Sequence, residues 1–378
     1  MEQNKFFPEV HGNFGFGCMR LPMNGEEVDK AEFCRMTDAF IAAGFNYFDT
    51  AHGYIKGKSE TAIADCVSSR YPRKQFLLTD KLTDAYFQKQ EDIRPFFMWQ
   101  LAWCKVDYFD FYLMHSQDRN NYQKFKRCMA YETAWQLKQE GYIRHLGLSF
   151  HDKAEVLDRI LSEHPEIEFV QIQLNYLDYE SDTVEGRKVY EVCEKYQKPV
   201  MVMEPVKGGS LVDLPEEADQ ILRNLNGGSN ASYAIRFAAS FPQIAVVLSG
   251  MSNLEQMKDN LSAMCDFKPF SEKETEAVRK VCAVFDRLNL IPCTACHYCV
   301  EESTCPRGIR IPELFKALNE HEAFHNWNTA FYYTSVLTGD GHGKAADCIR
   351  CGKCEKVCPQ HLEIRQLLRK VSAVFDKQ

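Results

Sequence analysis

Long runs of one charge are missing from this sequence. Its 378 residues carry 45 basic and 53 acidic side chains, a formal net charge of −8, spread without blocks of either sign. That argues against nucleic acid as a main partner and accounts for solubility rather than function. Also missing is any stretch approaching the roughly 18 apolar residues that a membrane helix needs. The opening Met-Glu-Gln-Asn-Lys-Phe-Phe-Pro has no apolar run fit for a secretory signal. The expectation is a cytoplasmic protein with no membrane partner. A glycine-rich phosphate turn is absent as well. Gly15-Phe16-Gly17 comes nearest but lacks the third glycine and the helix start, which argues against an open doubly wound sheet.

Cysteine, by contrast, is plentiful: there are sixteen, and eight lie in the tail as two runs. Cys293-Thr-Ala-Cys296-His-Tyr-Cys299 leads to Cys305-Pro306, and Cys348-Ile-Arg-Cys351-Gly-Lys-Cys354 leads to Cys358-Pro359. Three cysteines at successive i, i+3 positions in a tight loop can turn their thiolates onto three corners of one cubane. The fourth comes from beyond, next to a proline that stops the loop. The spacing C-x2-C-x2-C-x3-C-P is that of bacterial ferredoxin runs, in which the fourth cysteine ligates the other cluster. The second run matches residue for residue, whereas the first has two extra residues between Cys299 and Cys305. On that rule Cys293, Cys296, Cys299 and Cys358 would hold one [4Fe–4S] cluster, and Cys348, Cys351, Cys354 and Cys305 the other. Structural zinc also takes four cysteines, but as separated C-x2-C pairs, so the third cysteine of each run would be surplus. The remaining eight (Cys18, Cys34, Cys66, Cys104, Cys128, Cys193, Cys265 and Cys282) stand singly among apolar residues, as buried free thiols do, and imply a reducing compartment.

The length exceeds what one hydrophobic core usually serves, so a large domain plus a smaller one is expected. Short apolar runs recur at Phe14 to Leu21, Phe45 to Asp49, Phe76 to Lys81, Tyr108 to His115, Ile143 to Ser149, Phe169 to Asn175, Val200 to Val206 and Ile244 to Gly250. Between them lie segments of helical period, among them Glu27 to Ala43, Tyr122 to Glu140, Lys153 to Glu163 and Glu185 to Tyr196. Strands alternating with helices imply parallel pairing, and eight of them imply closure into a (β/α)8 TIM barrel of the α/β class. The division falls as residues 1–290 for the barrel and 291–378 for a small α-helical ferredoxin-like iron–sulfur domain, with Ile291-Pro292 at the boundary. Within that tail, 311–322 reads as an amphipathic helix, 326–337 as an aromatic-rich segment and 362–375 as a closing helix.

Barrel chemistry sits at the carboxyl ends of the strands. Those ends carry Asp49, Lys81, His115, Ser149, Gln171 with Asn175, Glu204 and Ser249-Gly250. Polar residues at strand ends are individually unremarkable, but this set contains a constellation. Tyr54 follows Asp49 by five residues. A neighbouring ammonium, Lys81, is expected to lower the phenol's pKa from its usual value of about 10. Asp49 would hold Lys81 in place and His115 would orient a carbonyl or pass the proton, so that Tyr54 acts as general acid while a hydride reaches the carbonyl carbon.

These residues resemble the catalytic tetrad of the aldo-keto reductase family, whose Asp, Tyr, Lys and His fall on Asp49, Tyr54, Lys81 and His115 over roughly residues 10 to 288. With its tail, the chain is similar to the subgroup carrying a C-terminal ferredoxin-like module. The resemblance implies that Ser149 and Gln171 grip the nicotinamide amide, although Phe150 stands where the family usually has Asn. It also implies an adenine-end segment from Gly250 through Ser252, Gln256, Asp259 and Asn260, with Ser252 and Glu255 as a capping box whose helix N-terminus suits a phosphate. Gly17, Met19, Asp49 and Glu204 are further cofactor contacts on this reading. Lys207, opening Lys207-Gly208-Gly209-Ser210, would cover the pyrophosphate. The implied cofactor is NADP(H), with NAD as the alternative.

Clusters move single electrons and nicotinamide moves a hydride, so a direct hand-over is awkward. A flavin would bridge the two. No flavin motif is legible, and the residues do not decide against one seated in place of nicotinamide. The expected partners are a small carbonyl substrate, in a pocket walled by Met19, His52, Tyr86 and residues 116–122, and a ferredoxin- or flavodoxin-type electron carrier. The alternative function is an electron-transfer iron–sulfur protein in which the barrel is a docking scaffold.

Overall fold

The computed structural model describes residues 3–376 except 183, 289, 325–328, 340 and the side chain of Phe324. Asn326 and Trp327 of the aromatic segment thus lie outside the described residues. By packing, the chain forms two compact units: residues 1–205 with 231–270, and 206–230 with 271–378.

The first unit is a closed parallel barrel of eight strands, as the alternation of runs implied. They are β1 (Phe14–Gly17), β2 (Tyr47–Asp49), β3 (Leu77–Leu82), β4 (Phe109–Gln117), β5 (Ile143–Phe150), β6 (Phe169–Gln173), β7 (Val200–Met203) and β8 (Ile244–Gly250). Closure comes from β1 pairing with β8, in a register that sets Gly17 beside Gly250. Every residue from Ile244 to Leu248 of β8 is buried, which is why such a strand reads as a continuous apolar run rather than an alternating one. The barrel floor is plugged by Phe7, whose ring meets Phe111 edge-on at 5.1 Å. Gly147 is required there, because a Cβ would sit 2.5 Å from the Phe169 ring.

Several element ends differ from expectation, each for a local reason. Strand β1 stops at Gly17 and turns into a short 3-10 segment, Cys18–Arg20. Strand β7 stops at Met203, where Glu204 takes φ +55° and Pro205 brings no amide proton for the ladder. The single helix expected over 122–140 is two helices, Tyr122–Arg127 and Ala130–Gln139, because Met129 adopts φ +51° between them. Cys34 and Cys66 are not free thiols: the helix Lys30–Ala42 and the turn Ala64–Ser68 bring them together as a disulfide. Cys265 is exposed and Cys282 half-buried, whereas Cys18, Cys104, Cys128 and Cys193 are buried and free.

The second unit is helical. Its core gathers Ile309, Ile311, Leu314, Phe315, Ile364, Leu368 and Val371, with Cys293, Cys305, Cys348 and Cys358 packed against it. Leu314 and Phe315 are fully buried, each worth about 1.5–3 kcal/mol of transfer free energy. Tyr333 stacks on Phe375 at 4.7 Å, and Asn319 clamps Ile291 through two hydrogen bonds of 2.8 Å. The helix Glu272–Leu288 packs on Glu216–Arg223, joined by an Arg287–Glu217 ion pair of 2.7 Å. Residues 206–230 and 271–290 are part of this second unit.

Candidate active site and cysteine-lined sites

The carboxyl ends of β2, β3 and β4 bring the four tetrad residues together. Lys81, fully buried on β3, donates from Nζ to Asp49 Oδ1 at 2.6 Å and to the Thr50 carbonyl at 2.7 Å. That ammonium lies 4.9 Å from the Tyr54 ring centroid, facing the ring. The Tyr54 and His115 rings meet at 6.0 Å and 75°. His115 is positioned by Thr83, whose Oγ1 is 2.6 Å from Nδ1. Strand β4 is irregular between Met114 and Gln117, where Ser116 takes φ +54°. Such bulges re-aim side chains at barrel rims.

The electrostatics depart from expectation at Tyr54. Lys81 does not depress its pKa: burial lifts the phenol well above its ordinary value, and Asp49 and Glu204 push the same way. The ammonium is already committed to Asp49 and Thr50 and approaches the ring rather than serving the hydroxyl. Tyr54 is therefore a protonated phenol, fit to donate. His115 is held well below the usual imidazole range, by burial first and by Lys81 next, so its ring is neutral.

The other expected site residues are placed as follows. Gln171 donates to Asp49 Oδ2 at 3.1 Å, tying β6 to the tetrad. Ser149, beside Gln171 in register, accepts from the Ser116 amide at 2.7 Å. Glu204 pairs with Arg20 at 3.4 Å, and Arg20 also packs across Gly250. Met19 and Gly17 are half-buried at the end of β1. Asn260 is buried and donates to Ser249 Oγ at 2.7 Å, with Asp259 next to it on the helix Leu254–Met264. That helix is not opened by a Ser252–Glu255 box. Asn253 is the N-cap, accepting from the Gln256 amide at 2.9 Å, and the Gln256 side chain reaches back to the Ser252 amide at 2.7 Å. The frame is shifted by one because Ser252 instead donates to the Arg20 carbonyl. Lys207 belongs to the second unit and is buried there. Neighbouring Gly208, at φ +64°, leaves no room for a Cβ, which would lie 2.1 Å from the Thr294 carbonyl oxygen.

Sequence reasoning missed four groups. Thr83 lies two residues beyond Lys81, so the period of a strand places both on one face. Glu32 accepts from the Leu254 amide at 2.7 Å, occupying an N-terminal donor of the helix assigned to phosphate, and nothing local announces this. Trp103 stacks on His52 at 4.5 Å, with Tyr86 edge-on to the same ring. On the outer face of β3, Asp80 meets Glu60 and Cys104, and Glu60 accepts from or donates to His52 Nδ1 at 2.6 Å. Burial pushes Glu60 up to about 7 and lifts Asp80 well above the carboxylate range.

In the second unit the eight tail cysteines line two separate cavities. One is bounded by Cys293, Cys296, Cys299 and Cys358, the other by Cys305, Cys348, Cys351 and Cys354. Four thiols around each hollow form a donor set that suits an iron–sulfur cluster.

An eight-stranded barrel with this tetrad, followed by a cysteine-rich helical unit, defines an oxidoreductase with an iron–sulfur domain. Residues 13–283 match the Aldo/keto reductase family and residues 292–362 the 4Fe-4S dicluster domain, and the chain belongs to the aldo/keto reductase family. It is 24% identical over 300 residues to the uncharacterized oxidoreductase YqkF of Bacillus subtilis, covering 70% of this chain and 90% of that protein. Human aldo-keto reductase family 1 member C3 is 27% identical over 169 residues, 39% of this chain and 50% of its own length. Among solved structures, the Klebsiella pneumoniae aldo-keto reductase in complex with NADPH superposes with a TM-score of 0.60 at 18% identity, covering 74% of this chain and 95% of that one. The Bacillus halodurans aldo-keto reductase AKR11C1, in its holo form, gives 0.59 at 22% identity with the same coverage. At these identities the superpositions establish the fold alone. No helix among the described residues is long and apolar enough to cross a membrane.

Proposed function

We propose that the protein is an NAD(P)H-dependent oxidoreductase of aldehydes or ketones, with residues 1–290 as its catalytic barrel domain and residues 291–378 as a domain holding two [4Fe–4S] clusters. The observation that carries the reading is the Lys81 ammonium, held between Asp49 and the Thr50 carbonyl and facing the Tyr54 ring. A bound nicotinamide supplies a hydride, and the clusters supply single electrons. Tyr54 gives its phenolic proton to the substrate's carbonyl oxygen, Lys81 and Asp49 fix the electrostatics beneath it, and neutral His115 orients that oxygen. Ser149 and Gln171 hold the carboxamide. Gly17, Met19, Glu204, Gly250, Ser252, Gln256, Asp259 and Asn260 line the rest of the cofactor's path. NADP(H) is favoured over NAD(H) by the Klebsiella relative's complex with NADPH. The eight tail cysteines ligate in the two sets that line the cavities, and the clusters exchange electrons with a ferredoxin- or flavodoxin-type carrier or hold the tail together.

The test is NADPH oxidation by anaerobically purified protein with simple aldehydes and ketones. Replacing Tyr54→Phe is expected to lower turnover by about 10²–10⁴ while NADPH still titrates the protein. A wild-type protein that neither binds nor oxidises NADPH or NADH would overturn the proposal.

A further inference from the structure

The two cysteine-lined cavities differ in charge. The one bounded by Cys293, Cys296, Cys299 and Cys358 has no Lys or Arg among its lining residues, and its His297 lies 3.6 Å from Glu313. The one bounded by Cys305, Cys348, Cys351 and Cys354 is lined by Arg307, Lys353 and Arg365. The Arg365 guanidinium lies against Gly352 in the cysteine loop and pairs with Glu355 at 2.7 Å. Arg307, Arg350, Lys353 and Lys356 are exposed and have no ion-pair partner among the described residues. Residues 344–370 hold seven Lys and Arg against three Asp and Glu, in a chain whose overall charge is −8. Each cavity has one buried cysteine, Cys299 and Cys354, but only the second has an exposed one: Cys351 is exposed and Ile349 near it is 61% exposed.

We propose that the site of Cys305, Cys348, Cys351 and Cys354 is the electron port of this protein, and that its cationic rim docks a small acidic one-electron carrier protein. The inference rests on the reading that these cysteines hold a cluster. An acidic chain repels an acidic partner everywhere except where positive charge is concentrated, so the rim selects both partner and docking site. The exposed Ile349, Arg350 and Cys351 bring that partner to the cysteines. In the step, the carrier's centre is oxidised by one electron and the port is reduced by one, with no group or proton transferred.

The experiment is stopped-flow reduction of the full-length, cluster-loaded protein by a reduced plant-type acidic [2Fe–2S] ferredoxin, with photoreduced deazaflavin as a small reductant that does not dock. Electrostatic steering raises association rates by 10-fold or more and weakens with salt. The rate constant with ferredoxin is therefore expected to fall about tenfold between low and high salt. At low salt it is expected to fall comparably in Arg350→Glu/Lys353→Glu and in Arg307→Glu, while iron content and the deazaflavin rate stay at wild-type values. Lys316→Glu, which makes the same charge change as Arg307→Glu at a residue that lines neither cavity, is expected to be silent. If the paired variant loses iron, Arg307→Glu and the salt dependence of the wild type decide. A salt-independent rate, or an Arg307→Glu protein reduced as fast as wild type, overturns the port. A chain that binds no iron overturns the cluster reading beneath it.

Discussion

Asp49 and Lys81 form a buried ion pair, 3% and 0% exposed, at 2.6 Å. Replacing Asp49→Asn keeps the shape and the Gln171 contact but leaves a buried ammonium with only the Thr50 carbonyl. Replacing Lys81→Met leaves a buried carboxylate with only Gln171. Breaking a buried pair from one side costs about 3–5 kcal/mol, whereas replacing both charges with neutral groups of similar volume is often close to neutral. The expectation is that each single variant loses about 3–5 kcal/mol and that Asp49→Asn/Lys81→Met loses less than either. Urea unfolding followed by the fluorescence of Trp99, Trp103 and Trp135, all in the barrel unit, measures this. All three proteins should be catalytically silent, so stability and activity separate: the double variant regains the first without the second. Additive losses would mean that the two side chains act independently, and the geometry at the centre of the site would then have been misread.

Burial holds His115 well below 6.5, so between that value and its folded pKa the unfolded chain binds the extra proton. Stability is therefore expected to fall as pH drops below about 6.5, and His115→Gln should flatten that acid limb in unfolding measured by circular dichroism. Glu60 has the opposite sign: its pKa is raised from 4.5 to about 7, so its contribution is present below 4.5 and lost as pH rises through about 7. Glu60→Gln should remove this loss, and an unchanged pH profile would show that the Glu60–Asp80 pair does not hold the proton. Because Cys358 lines the cavity of Cys293, Cys296 and Cys299 rather than that of its own run, Cys358→Ser should lose the first run's cluster and keep the second's. Iron analysis should then read about half the wild-type content, and Cys305→Ser should remove the complementary half. Loss of the second run's cluster in Cys358→Ser would refute the crossed arrangement. Cys34→Ser should cost about 2–4 kcal/mol under oxidising conditions and little with reductant present, and an equal loss in both would argue against a disulfide in solution.

What the chain states on its own is what its local spacing encodes. The i, i+3 cysteines, the eight apolar runs and the polar residues closing them follow from distances of a few residues, and they carry the barrel, the family and the tail's cysteine chemistry. What tertiary structure decides is what depends on closure, on which side of a strand faces the core and on which distant groups then meet. Glu204, just past the end of β7, meets Arg20, 184 residues away, and no spacing along the chain announces that pair. The cap of the helix Leu254–Met264 is Asn253 rather than Ser252 because Ser252 is drawn to the Arg20 carbonyl. Cys34 and Cys66, 32 residues apart, are ordinary lone cysteines until two segments pack together. The direction of the Tyr54 shift belongs to this second kind: a lysine nearby in the fold suggests a lowered pKa, but the outcome depends on depth of burial and on where the ammonium's hydrogen bonds are already committed, and neither is a property of spacing along a chain.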